Sequence, residues 1–296
     1  MNKVLTIILI TILSIITFGL IVGLWFLIKT DFSFSSLGKF NFASTESTNL
    51  IESKEIITLK DLDIKTDVTD VNIEETDNET IKIELYSDNA INHEITENEN
   101  NIKVVLEEKK KVGFYLFKKN PVVRIYLPKG YNKNIVADSN VGDIKIGHLP
   151  NATLNAQLDV GDVKVKEINT ADVVTRVGDV KIENVNKLVT DVKTGDIKVQ
   201  QVNNITSKSK TGDVKLGTVK GSVDITTGTG DVKIENATIE KNSKIDSNVG
   251  DVKINNIKGC YVEAKTNIGD VKVTNNDRKS EIELTIISHV GDIKVY

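Results

Sequence analysis

A single cysteine, Cys260, excludes an internal disulfide and any metal site built from several thiolates. Aromatic residues make up only 5% of the chain, and methionine and tryptophan occur once each, so Ile, Val and Leu carry most of the 39% hydrophobic content. That composition favours strands over helices. An excess of one charge is missing too: the formal net charge is -4, with Lys and Asp interleaved rather than blocked. No basic stripe is available to neutralise phosphates, which argues against nucleic acid as a partner. The three histidines, His93, His148 and His289, stand apart from one another. No clustered acid, base and nucleophile is visible anywhere, so neither a catalytic residue nor a cofactor is expected.

What is present begins with Val4 to Ile28, which holds 25 residues without a charge. At about 1.5 Å per residue it reaches roughly 37 Å, more than a hydrocarbon core of about 30 Å. The run exceeds the apolar core of a secretory signal, and neither a small-residue cleavage pattern nor a lipidation cysteine follows it. Residues 4–28 are therefore expected to be an uncleaved, single-pass transmembrane anchor behind a tail of residues 1–3. Lys3 on one side faces Lys29 and Lys39 on the other, so charge gives almost no preference for orientation. Residues 29–54, rich in Ser, Thr and Asn, read as a flexible tether.

One phrase then recurs nine times: Gly, Asp, a β-branched residue, Lys, and an aliphatic residue. It starts at Gly142-Asp143, Gly161-Asp162, Gly178-Asp179, Gly195-Asp196, Gly212-Asp213, Gly230-Asp231, Gly250-Asp251, Gly269-Asp270 and Gly291-Asp292, with spacings of 17 to 22 residues. A near-constant short period marks a stack of units that bury one another's apolar faces. Alternation predicts Val163 and Val165 inside with Asp162 and Lys164 outside, and upstream it predicts Leu154, Ala156, Leu158 and Val160 inside. A later unit reads the same way, with Val223, Ile225, Thr227 and Thr229 inward. The phase slips across Gly-Asp, so these eighteen residues are expected to be structural corners. Glycine tolerates the bend, and the aspartate carboxylate can accept turn N–H groups.

A second slip follows, since Ile168, Val185, Val202, Val219 and Ile257 come three positions after the inward pair, often behind a polar pair such as Gln200-Gln201. Each unit of 17–22 residues thus reads as one coil, with two short strands and several bends. The expected fold is all-β, a parallel β-solenoid of about nine coils over residues 140–296, stacked about 4.8 Å apart. Small residues such as Ser207, Ser209, Thr211, Ser243 and Ser247 suit a narrow interior. Residues 55–139 form more degenerate strands, expected as an N-terminal β cap, in which Asp70-Val71-Asn72-Ile73-Glu74 looks like a worn copy of the phrase.

With the segment "VVRIYLPKGYNKNIVADSNVGDIKI" at 122–146 ahead of the repeated phrases, the chain resembles the bacterial "putative adhesin" domain family of unknown function. The anchored arrangement is similar to proteins of envelope-stress operons. That resemblance implies a β-solenoid located outside the membrane and no established activity. The expected role is a non-catalytic binding or scaffolding module in the cell envelope, with an envelope protein or cell-wall polymer as partner. The resemblance supplies no catalytic residues. The residues leave two other readings open. Gly-Asp repeats also occur in calcium-binding β-rolls, although one acid per coil beside a lysine falls short of the roughly six to eight oxygens calcium takes. Solenoid enzymes that cleave acidic polysaccharides also exist, although they need an asymmetric acid–base cluster.

Overall fold

The computed structural model describes residues 49–88, 91–108, 120–274 and 276–296. The anchor expected at 4–28 and residues 29–48 of the tether lie outside them. Every regular element among the described residues is a strand, and no helix there is long and apolar enough to cross a membrane. In chain order these are β1 Leu50–Ile56, β2 Asp61–Val68, β3 Asp70–Thr76, β4 Ile81–Tyr86, β5 Ile91–Glu97, β6 Asn101–Glu108, β7 Val122–Pro128, β8 Asn134–Val141, β9 Ile144–Val160, β10 Val163–Val177, β11 Val180–Thr194, β12 Ile197–Thr211, β13 Val214–Thr229, β14 Val232–Ile239, β15 Ser243–Val249, β16 Val252–Lys258, β17 Tyr261–Ile268, β18 Val271–Val273, β19 Glu283–Val290 and β20 Ile293–Val295. β1 begins at Leu50, so pairing starts inside the segment read as tether.

The expected parallel β-solenoid is present. Val163 pairs with Ile144 below and Val180 above, Val180 pairs with Ile197, and Ile197 with Val214. Each coil turns inward two residues, then one, then three: Val163 and Val165, Ile168, and Ala171, Val173 and Thr175, all buried. The coil is not two short strands, however. β10, β11 and β12 are each continuous over 15 residues. Pairing between β10, β11 and β12 stays in register past the polar pair, whereas it shifts between Ile168 and Thr170 against β9 and between Val202 and Asn204 against β13.

Three inward assignments are corrected. Leu154, Ala156 and Leu158 are buried, but Val160 faces outward, as do Thr211 and Thr229. The phase changes before the glycine, so the residue preceding it stands on the outer side of the bend. The other small residues do line the interior. Several hydroxyls along the stack serve the glycine carbonyls: Ser209 donates to Gly212 O at 3.3 Å and Thr266 to Gly291 O at 2.9 Å. Thr190 and Ser207 bond each other at 2.9 Å.

Layer order departs from chain order at both ends. The worn copy is a true layer, since β2 and β3 stack beneath β8 and β9, and Asp143 donates its N–H to Asp70 Oδ1 at 2.9 Å. Outside that layer lie β6 and β7, which pair with β2 and β3, so the chain builds its second layer before its first. Antiparallel strands close this end, with β5 on β6 and with β4 between β1 and β7. At the opposite end β19 and β20 insert between the layer of β15 and β16 and the layer of β17 and β18. Among the described residues the coil ending near Tyr296 is therefore penultimate, and residues 261–273 form the outermost layer.

Candidate functional site

The eighteen corner residues come together as one column along the stack. Every glycine of the phrase sits at a φ between 137° and 152°. Crowding as well as conformation demands it: a Cβ on Gly178 would lie 1.9 Å from Gly161 O, and one on Gly212 would lie 2.0 Å from Gly195 O. Backbone thus packs on backbone from layer to layer. Two main-chain bonds cross each corner, as from Gly178 N–H to Thr194 O and from Val180 N–H to Asp196 O, both 2.9 Å.

The aspartates add a third bond in the opposite direction. Asp196 N–H donates to Asp179 Oδ1 at 2.8 Å, Asp213 N–H to Asp196 Oδ1 at 3.0 Å, and the ladder continues through Asp231, Asp251, Asp292 and Asp270. The second oxygen faces a lysine of the same coil: Lys215 Nζ is 2.8 Å from Asp213 Oδ2, and Lys294 Nζ is 2.8 Å from Asp292 Oδ2. Lys164 reaches both Asp162 at 2.9 Å and Asp143 at 3.5 Å. Lysines share their own register, with Lys181 opposite Lys198 and Lys198 opposite Lys215.

This electrostatic arrangement works against acid–base chemistry. The Lys215 ammonium and then the Asp231 N–H hold Asp213 below the usual carboxylate range. Asp213 in turn raises Lys215 above the usual amine range. A proton donor or a neutral amine near pH 7 needs the opposite shifts. Coordination is restricted too, because one oxygen of each carboxylate in the inner layers already accepts a backbone N–H. Among the described residues no group of three or more His, Cys, Asp and Glu is placed to hold a metal ion.

The isolated residues stay isolated. His289 is exposed in the outward position shared with Asn140, Arg176, Lys193 and Asn248. Its Nδ1 lies 3.2 Å from the Asn267 amide. His148 Nδ1 is 2.8 Å from Glu167, and His93 Nε2 is 3.4 Å from Glu52. Cys260 is buried, and that burial pushes its thiol up to about 11, away from nucleophilic reactivity.

One feature escaped the sequence reading. A shallow groove of about 660 Å³ runs over β3, β9, β10 and β11, lined among others by Glu74, Lys145, His148, Lys164, Lys166 and Lys181. Its only sequence signal is Gly147, which replaces a side chain over Glu74. It offers mixed charge along several layers rather than a focused pocket.

The repeat and its register lead to a family. The sequence pattern of Toastrack DUF4097 matches residues 59–193 and again residues 185–296. The chain belongs to the Toastrack DUF4097 family. The double match fits the layer structure, since a Toastrack pattern that spans about half the stack can be laid on it twice. No curated protein matches the chain. Among solved structures, this Toastrack chain is similar to a "putative adhesin" from Bacteroides fragilis, with 18% identity, a TM-score of 0.44, and coverage of 84% of this chain and 98% of the other. It is also similar to a "putative lipid binding protein" from Parabacteroides distasonis, with 15% identity, a TM-score of 0.32, and coverage of 85% and 98%.

Proposed function

We propose that this chain is a non-catalytic binding or scaffolding module, held at a membrane by residues 4–28, with its solenoid outside the cytoplasm. The observation that carries the first half is the corner column, whose carboxylates are engaged in bonds between layers, with Asp213 and Lys215 shifted away from proton transfer. What is left for a partner is an extended, repeated surface that suits an envelope protein or a cell-wall polymer better than a small molecule. The 25 uncharged residues support the anchor. Orientation and an envelope-stress setting rest on the family resemblance.

Protease added to intact, wall-stripped cells tests the placement. Digestion of the solenoid while a cytosolic protein is spared is the expected result. Equal protection of both overturns the orientation.

A further inference from the structure

We infer that the outermost layer, β17 with β18, is an interface at which a second copy of this chain docks end to end. At each inner boundary the glycine N–H and the N–H of the next apolar residue donate upward, while the carboxylate Oδ1 accepts from the next aspartate. Gly269, Asp270 and Val271 hold these places in the outermost layer, and among the described residues no layer follows them. Burial reports the same gap. The residues equivalent to Val271, from Ile144 and Val163 to Val252 and Ile293, are 0% exposed, whereas Val271 is 45% exposed; Ile268, in the outward position before the glycine, is 66% exposed where Val177 is 40% and Val290 41%.

The edge of β17 is only partly covered. Asn276 lays its side-chain amide against Val262, accepting its N–H at 2.8 Å and donating to its carbonyl at 3.0 Å. Alternate residues of a parallel strand bond to opposite neighbours, so Ala264 and Thr266 present their main-chain groups on that same outer side. An edge carrying both N–H and C=O groups is complementary to itself.

The other end of the stack does not offer a mate. There the antiparallel strands β4 and β5 lie over β7 and β6, with β1 beyond β4, so no Gly-Asp corner faces outward to receive the open layer. Head-to-tail growth is thereby disfavoured, while two open ends related by a two-fold axis close each other and stop. Charge agrees, since the open layer carries Glu263 and Asp270 against Lys265 and Lys272 and does not repel its copy.

The test is the mass of the full chain in detergent by sedimentation, across protein concentrations up to about 100 µM. The expected result is a reversible two-chain species. Val271→Lys and Ala264→Pro should each weaken it at least about tenfold, with circular dichroism confirming that both variants remain folded. Ile57→Lys, on an exposed residue near the other end, should leave it unchanged. A chain that stays single at the highest concentration overturns the proposal. So does a pair that survives both folded end variants. If either variant fails to fold, amide hydrogen exchange of the unaltered chain decides, since protection of the Ala264, Thr266 and Val271 amides that rises with protein concentration supports the contact and its absence refutes it.

Discussion

Between β9 and β13 the layers follow the chain, each strand pairing with the one before and the one after. At the two ends they do not, since β2 with β3 lies inside β6 with β7, and β19 with β20 lies inside β17 with β18. The middle shows what the repeated phrase specifies, which is how any layer grips its neighbour. The ends show what it leaves unspecified, namely which neighbour. Every layer presents nearly the same corner, so a coil can dock out of turn without losing its bonds.

The comparison is broken most severely at a middle glycine. Gly178→Val places a Cβ against Gly161 O at a φ of 152°, and the stack must open there. A loss of at least about 3 kcal/mol is expected from the urea midpoint. Gly130, at a φ of 76° with nothing within 4 Å of its absent Cβ, is the contrast. Gly130→Ala should cost only about 1 kcal/mol.

A smaller effect sharpens the contrast between middle and end. Asp196→Ala removes the acceptor of the Asp213 N–H, and about 1–2 kcal/mol should be lost. Asp270→Ala removes a carboxylate with no aspartate N–H above it, and thermal melts should change by no more than about 0.5 kcal/mol. Equal losses at the two sites would mean that the interlayer bond is not what the carboxylate contributes.

These contrasts also mark what could be read in the residues alone. Val163, Val165 and Ile168 declare their inward positions by spacing, and Asp70 was recognisable as a layer although threonine replaces its glycine. The bend defeated the reading at Val160 and Thr229, because alternation fixes the phase of a strand and says nothing about where a corner resets it. Layer order was illegible for a different reason: interchangeable corners carry no address. The groove beside Gly147 was hidden likewise, since it depends on side chains from layers far apart in the chain.

The smallest expected effect is a pH dependence. Lys215 and the Asp231 N–H hold Asp213 lower in the folded chain than in the unfolded one. Its contribution to stability is therefore complete above the unfolded value of about 4 and is lost as pH falls through the folded value. Between about pH 5 and pH 2 the melting temperature should drop, and Asp213→Asn should reduce that drop by about 1–3 °C. An unchanged slope in the variant would remove Asp213 from the acid response.

The out-of-turn ends also set a timetable. A chain that emerges amino end first can lay down β8 to β16 in sequence, each layer landing on the one before. The seat for β19 and β20 lies beneath β17 and β18, so those earlier strands must wait, or dock and then yield, until residues 283–295 arrive. Seating β19 and β20 is thus an insertion between two layers rather than one more step in a row, and β17 and β18 lack their seat until it happens.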